Sequence, residues 1–384
     1  MAFFGTTIET LETVKPHPNA DSLELAYMKG LNFQLSVNKD KHKAGDKVVY
    51  FPIDSVIPEP ILISLGLSGK LSGAAKNRLK VGKKIRGEWA EGLAVNFSEV
   101  WSFISEKEIP STIDEEVWNK QLPAGGNDTN GGPIDTTVLT KVLQVLKYEM
   151  PEDFAFGNAS GALPAGLSKY DIEGCQREVD YFNTLLDTPV VIMEKIEGQN
   201  FCAHYDALQY KFYVCSRSMT KHEPTELQIE QGNVCTFWKN AEQYDLKNQM
   251  IAYSKANGLK SLSLYAEQYG PGIQKNIYGI GRHQLAFFDI KRDGEWVSFD
   301  EAYGIWGTLG LKFHIAPVLA VDTTLREVLA GQNINDYATG KSQYNQQILR
   351  EGVVIKPMVE VHRFRGGRLI LKHRSLEYLE KTGL

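Results

Sequence analysis

The amino-acid sequence predicts an α+β protein in two parts: a small closed β-barrel with its linker over residues 1–150, then a mainly antiparallel domain over residues 151–384. Three observations predict it. Up to about Val100, short alternating runs are separated by turn residues with no long helical period between them, the pattern of a small barrel. Residues 123–133 then read Pro-Ala-Gly-Gly-Asn-Asp-Thr-Asn-Gly-Gly-Pro, which cannot build a core and suits a flexible connection. Beyond it, β-branched and aromatic runs return, now interleaved with a few stretches of helical period. At 384 residues there is chain enough for two buried cores.

In the first part, Ile8 to Leu11, Leu23 to Ala26 and Phe33 to Val37 alternate. Ala44-Gly45-Asp46 turns the chain into residues 47–51, and Pro52, Pro58 and Pro60 end the pattern. From Ile61 to Gly87 there is no acidic residue, but there are Lys70, Lys76, Arg78, Lys80, Lys83, Lys84 and Arg86. Such a segment can track a phosphate backbone; the alternative is a solvated loop. Residues 136–148 suit a short helix with Val138, Val142 and either Val145 or Leu146 on one face. The boundary between the parts is expected near Met150-Pro151.

The second part should open with a helix over residues 171–186, where Ile172, Cys175, Val179, Phe182 and Leu186 recur at helical spacing. Val190 to Met193 is a buried strand with Lys195 at its end. Phe201, Ala203 and Tyr205 alternate, residues 206–209 can turn, and residues 210–215 run back. A helix over 237–256 should stop at Asn257-Gly258. Leu262, Leu264 and Ala266 share one strand face, with Glu267 near that strand's end. Residues 284–290 form another strand, and Asp293-Gly294 a hairpin turn. Asp322 is expected to cap a short helix ending before Gly331, and residues 352–355 and 369–371 to form the last strands.

Composition narrows the function. No apolar run approaches the roughly 20 residues of a membrane helix. The first five residues lack the basic region and apolar core of a secretion signal, so a cytoplasmic protein without membrane association is expected. Cys175, Cys202, Cys215 and Cys235 show no C-x-x-C pairing and read as reduced thiols. The net charge of −5 means that any nucleic-acid surface must be local.

The chemistry is concentrated at Glu-Lys-Ile-Glu-Gly-Gln-Asn-Phe, residues 194–201. A lysine at the mouth of a hairpin is a candidate covalent nucleophile, with an exposed structural lysine as the alternative. Gly198, a candidate cofactor-binding position, lets the backbone come close to a ligand, because it has no Cβ. Four further segments follow in order: A-E-Q-Y-G from 266, F-F-D-I from 287, E-G-V-V-I-K-P from 351, and L-K-H-R-S from 371. Together they resemble the ATP-dependent RNA ligases of the covalent nucleotidyltransferase superfamily, in the branch with an N-terminal OB domain. His17-Pro18-Asn19-Ala20-Asp21-Ser22-Leu23-Glu24, followed by A-G-D-K-V-V-Y-F, likewise resembles an OB barrel of the tRNA-binding-module kind. His17 itself, among Pro, Asn and Asp, reads as turn chemistry.

The resemblance implies an OB-like barrel ahead of a nucleotidyltransferase (adenylyltransferase) domain, with ATP and Mg²⁺ or Mn²⁺ as cofactors. It implies that Lys195 captures AMP from ATP, passes it to an RNA 5′-phosphate, and that a 3′-hydroxyl displaces it to seal the strand. It further implies catalytic phosphate-binding roles for Lys356 and Lys372, and metal ligation by Glu197, Glu267 and Glu351. Glu194 matches the adenine-contacting acid, and Asn200 and Arg374 match phosphate-contacting positions. Arg217 resembles an arginine near the ribose and RNA phosphate, though a surface charge is the bland reading. Phe288 matches an aromatic that stacks on adenine, or is a core phenylalanine. Many relatives have aspartate where Glu197 stands; the longer acid keeps the charge and shifts any metal distance. Lys169-Tyr170-Asp171 resembles a family segment to which no contact is assigned.

Two other functions stay in view. DNA ligases and capping enzymes generally place an OB domain after the last lysine motif, where this chain has only residues 375–384. A catalytically inactive tRNA- or RNA-binding protein would not need all three acidic motifs and both late lysines. The expected partner is RNA bearing 5′-phosphate and 3′-hydroxyl ends, nicked or structured, acted on by a monomer.

Overall fold

The computed structural model describes residues 4–31, 33–80, 83–105, 114–120, 136–148, 159–362 and 367–382. The expected loop at 123–133 and the boundary near 150–151 lie outside them. The N-terminal part is a five-stranded sheet in the order Gln34–Asn38, Leu23–Met28, Thr7–Pro16, Lys47–Phe51, Leu93–Val95, antiparallel throughout. It curls almost shut: the Glu91 N–H donates to the Gln34 carbonyl at 3.0 Å, bringing the last strand's approach back to the third. Its core needs a plug, and the helices Glu59–Ser64 and Phe97–Ser105 with fully buried Trp118 supply one. His17 behaves as turn chemistry requires: its ring lies 3.0 Å from the Ile85 carbonyl, and its Nδ1 accepts from the Asn19 N–H at 3.1 Å.

Two further sheets build the rest. A seven-stranded antiparallel sheet runs Ala159–Ala162, Met219–Lys221, Lys211–Cys215, Gln199–Asp206, Ser261–Tyr269, Gln284–Arg292, Glu295–Trp296. A five-stranded sheet runs Glu173–Gly174, Leu371–Arg374, Gly352–Pro357, Pro189–Lys195, Val318–Thr324. The largest core lies against the first, where Phe201, Ala203, Leu262, Leu264 and Ala266 meet Phe237, Met250, Phe299 and Trp306 from helices, with Val191 and Met193 from the second. Alternate residues Val190, Ile192, Val353 and Ile355 fill a separate core on the other face. No helix among the described residues is long and apolar enough to cross a membrane.

Several element expectations need correction. The helix over 171–186 is only Val179–Leu185, because Glu173–Gly174 pairs in parallel with Leu371 and Lys372 and the Cys175 N–H donates to the Lys372 carbonyl. The 237–256 helix is two, Thr236–Gln243 and Leu246–Asn257, broken where Asp245 takes φ +47° and Tyr244 turns its ring against Phe287 and His314. Gly258 stops the second, as expected. The 136–148 helix shrinks to Val138–Val142, and Leu146–Lys147 pairs with Ser55–Val56, leaving Val145 buried and Leu146 exposed. Asp322 caps nothing: it lies in the Val318–Thr324 strand, and Thr324 with Glu327 forms a reciprocal capping box on the Leu325–Leu329 helix. The last strand is Leu371–Arg374 and not 369–371.

Candidate active site

Strand register explains why the cations gather. Lys195 pairs with Gly352 and Gly352 with Arg374; Met193 pairs with Val354 and Val354 with Lys372; Val191 pairs with Lys356. Side chains two apart share a sheet face, so Lys195, Lys356, Lys372 and Arg374 all belong to one face of the five-stranded sheet. Gly352 at the centre of this row has to be glycine, since a Cβ there would lie 2.0 Å from the His373 carbonyl oxygen.

Lys195 does not face outward. Its Nζ lies 2.8 Å from Glu351 Oε2, and Glu351 is 8 % exposed. Glu267 stands across from them, paired in register with Asn200 on the adjacent strand. Burial pushes the Glu267 carboxyl up to about 8; Lys195 opposes the shift and Glu351 adds to it. Burial, with the charges of Arg374 and Lys195 alongside, lowers Lys372 to about 7. Two acids and a crowd of cations thus face one another across Lys195, a polarised site able to take a phosphate chain. The close approach at Gly198 is to protein and not to a ligand: a Cβ there would lie 2.5 Å from the Gln268 carbonyl oxygen and 2.7 Å from Glu267 Cγ.

Glu194 is 2 % exposed, and one of its oxygens accepts from the Gln343 N–H at 2.7 Å. The other oxygen is buried without a partner. Burial raises this carboxyl, against the hydrogen bonds from Ser342 and the Gln343 N–H. An orphaned acceptor of this kind suits an exocyclic amine. Phe288 is half-buried against Tyr170 at 5.0 Å, so it takes part in an aromatic cluster with Tyr265 and Trp296 nearby.

Three candidates have more protein partners than their motifs suggest. Both carboxylate oxygens of Glu197 are engaged, one by the Lys275 N–H at 2.8 Å and the other by the Tyr378 hydroxyl. Among the described residues no three acids, histidines or cysteines are arranged to hold a metal. Lys356 is 3 % exposed and forms an ion pair with Asp289 at 3.2 Å. Asp289 also binds Arg368 and the Tyr170 hydroxyl; burial opposes its charge, but Arg368 and Lys356 hold its carboxyl below the usual range. Arg217 reaches Asp171 through Nη2 at 2.6 Å and Nε at 3.1 Å. Burial alone would raise Asp171, yet Arg217 keeps it low. The Lys169-Tyr170-Asp171 segment therefore has contacts: Tyr170 supports Asp289, and Asp171 supports Arg217.

Sequence reasoning missed the groups that hold these residues. Tyr278 accepts from the Glu197 N–H at 2.8 Å, and Gln274 Nε2 lies 3.4 Å from the Gly198 carbonyl. Gln274 and Lys275, at the end of the Tyr-Gly-Pro-Gly-Ile-Gln-Lys run from 269, and Tyr278 just beyond it thus bracket the turn after Lys195. Tyr378, on the Leu376–Thr382 helix, gives no signal by spacing, because it reaches Glu197 from 181 residues away.

A family model for RNA ligases matches residues 188–374, and an OB-fold domain model matches residues 5–107. No curated protein sequence matches this chain. Among solved structures, Naegleria gruberi RNA ligase with pyrophosphate has a TM-score of 0.71 at 21% identity, covering 98% of both chains. A variant of that ligase with ATP and Mn gives 0.72 at 21%, and another with AMP and Mn gives 0.71 at 20%, each covering 98% of both chains. At such identity these likenesses establish a shared architecture from barrel to last helix. Residues 188–374 thus match the RNA ligase family, and residues 5–107 place an OB-fold domain ahead of them.

Proposed function

We propose that this chain is an ATP-dependent RNA ligase that joins 3′-hydroxyl and 5′-phosphate RNA ends through a lysyl-AMP on Lys195, in the repair of broken RNA. Residues 151–384 form the catalytic domain, and residues 1–150 the RNA-contacting barrel with its linker. The observation that carries this reading is Lys195 Nζ, 2.8 Å from Glu351, on the same sheet face as Lys356, Lys372 and Arg374.

The residues divide the work. The neutral Lys195 amine attacks the α-phosphorus of ATP, forming the P–N bond while the bond to pyrophosphate breaks. Lys372 and Arg374 oppose the charge of the leaving pyrophosphate. Lys356, held by Asp289, which Arg368 braces from its other oxygen, sits on the same face. Glu194 offers its unpartnered oxygen to the adenine amine, and Phe288 is the aromatic assigned to stack on the base. An RNA 5′-phosphate, met by Asn200 and Arg217, then takes the AMP from Lys195, and the 3′-hydroxyl displaces AMP as the phosphodiester forms.

The acids fit a hard divalent cation in part. Glu267 and Glu351 would hold Mg²⁺ or Mn²⁺, with substrate phosphates and water completing the shell, and the ion would supply charge neutralisation there. Burial, with a smaller push from Glu351, raises the Glu267 carboxyl, and a cation held there would favour its charged form. Glu197, with both oxygens engaged by protein, is assigned to hold the turn after Lys195.

Incubation with labelled ATP tests the proposal. AMP that resists base but is released by acid, as a P–N bond requires, should appear on the wild type and be absent from folded Lys195→Ala. Labelling by GTP in place of ATP, or no labelling at all, would overturn it. Sealing of nicked RNA and DNA duplexes then defines the preferred substrate.

A further inference from the structure

Between the barrel and the five-stranded sheet lies a cavity of about 430 Å³, the size of a nucleotide site. Its two sides differ in chemistry. The barrel side carries Tyr27, Phe33 and Trp89, all half-buried, on or beside the second and third strands, which is the face an OB fold offers to oligonucleotides. The sheet side carries Lys372 and Arg374, on the same sheet face as Lys195, with one buried acid, Glu173, near them. Among the aromatics is Glu91, 8 % exposed; one oxygen lies 3.5 Å from Gln176 Nε2 and the other has no partner. Asp54, the other acid on the barrel side, is already paired with Arg78 at 2.7 Å.

We propose that this cavity binds the 5′-terminal nucleotide of the RNA once pyrophosphate has left, its base against Phe33 and Trp89 with an edge amine donating to Glu91, and its phosphate between Lys372 and Arg374 on one side and Asn200 and Arg217 on the other. The inference rests on the RNA ligase reading and adds the nucleotide that the site takes. The polarity of the cavity selects this occupant. A polyphosphate lying along its length would bring its charge against the Glu91 carboxylate, whereas a nucleotide has an apolar, amine-bearing end and an anionic end. Aromatic faces accept any base, and an acceptor-only carboxylate among them sorts bases by their edges. Adenine, cytosine and guanine present an amino group. Uracil presents one N–H between two carbonyl oxygens, which the carboxylate repels.

The test uses full-length enzyme first labelled with AMP from ATP, then mixed with 5′-phosphorylated oligoribonucleotides differing only in the first base. Single-turnover transfer of AMP to the RNA is read. Wild type should discharge to A-, C- and G-starting strands roughly tenfold faster than to U-starting strands. Glu91→Gln, which replaces one acceptor by a donor in the same shape, should lift the U-starting strand and flatten the series. Phe33→Leu should slow all four by about fivefold without changing their order. A flat wild-type series, one unchanged in Glu91→Gln, or a Glu91→Gln defect confined to uptake of AMP from ATP would overturn the proposal. Failure of the wild type to take label from ATP would instead sink the ligase reading beneath it.

Discussion

Replacing Gly198 by alanine is the sharpest test of how Lys195 is positioned. Gly198 has no left-handed φ, so an alanine costs nothing in backbone conformation and acts only through its added carbon. That carbon would sit 2.5 Å from the Gln268 carbonyl oxygen and 2.7 Å from Glu267 Cγ, where ordinary contact begins at 3.4 Å. The turn after Lys195 and the Ser261–Tyr269 strand must therefore part by about 0.7–0.9 Å, and Glu267 moves with its strand. Misplacement by about 1 Å can cost on the order of a hundredfold in rate. Gly198→Ala should thus fold, with an unfolding temperature a few degrees lower, and lose roughly two orders of magnitude in the rate of AMP capture. Pre-steady-state labelling with ATP reads this directly. Capture at the wild-type rate by a folded Gly198→Ala protein would show that the spacing of Glu267 from the Lys195 turn is not what prepares the amine.

Three other expectations concern the hydrogen bonds, buried histidines and basic surface. Tyr378→Phe removes the hydroxyl that donates to Glu197 and leaves a buried carboxylate oxygen unpaired, so stability should fall by about 2 kcal/mol in denaturant unfolding; an unchanged midpoint would refute the role given to this hydroxyl. Acid should destabilise the fold through His204 and His373, both held by burial near 4 against 6.5 in the unfolded chain. Between those values the unfolded state binds more protons, so stability is fully present above 6.5 and drains as pH falls towards 4, by up to roughly 3 kcal/mol for each group; unfolding followed from pH 7 to 4.5 should lose about half of this slope in His204→Gln. Lys76 and Arg86 are exposed on the basic segment, and Lys76→Ala with Arg86→Ala should weaken RNA binding while reducing its salt slope by about one for each phosphate no longer neutralised. An unaltered slope would make that segment a solvated loop.

How far the sequence could be read depended on the range of the forces involved. Strand 189–195 and the hairpin after it were legible because β-branched runs and alternation are local signals, and Lys195 falls at a strand end for the same reason. Ile172 and Cys175 keep helical spacing by coincidence: their segment is drawn into a sheet by Leu371 and Lys372, nearly 200 positions on, which no local period reports. Tyr244 breaks a helix for the sake of a distant aromatic contact, which propensity cannot foresee. At the site, motif order pointed to Lys195, Glu267 and Glu351, while the partners of Glu197, Asp289 and Asp171 arise only once the sheets are assembled.

The shared face of Lys195, Lys356, Lys372 and Arg374 also protects the fold from a mistake. A slip of one residue between neighbouring strands would turn a strand's alternate side chains over, driving ammonium and guanidinium groups among Val190, Ile192, Val353 and Ile355. Each charge so stranded costs several kcal/mol, far more than the hydrogen bonds of a shifted ladder could restore. The cations of this face therefore act earlier as an alignment key, making a mispaired sheet too unstable to persist.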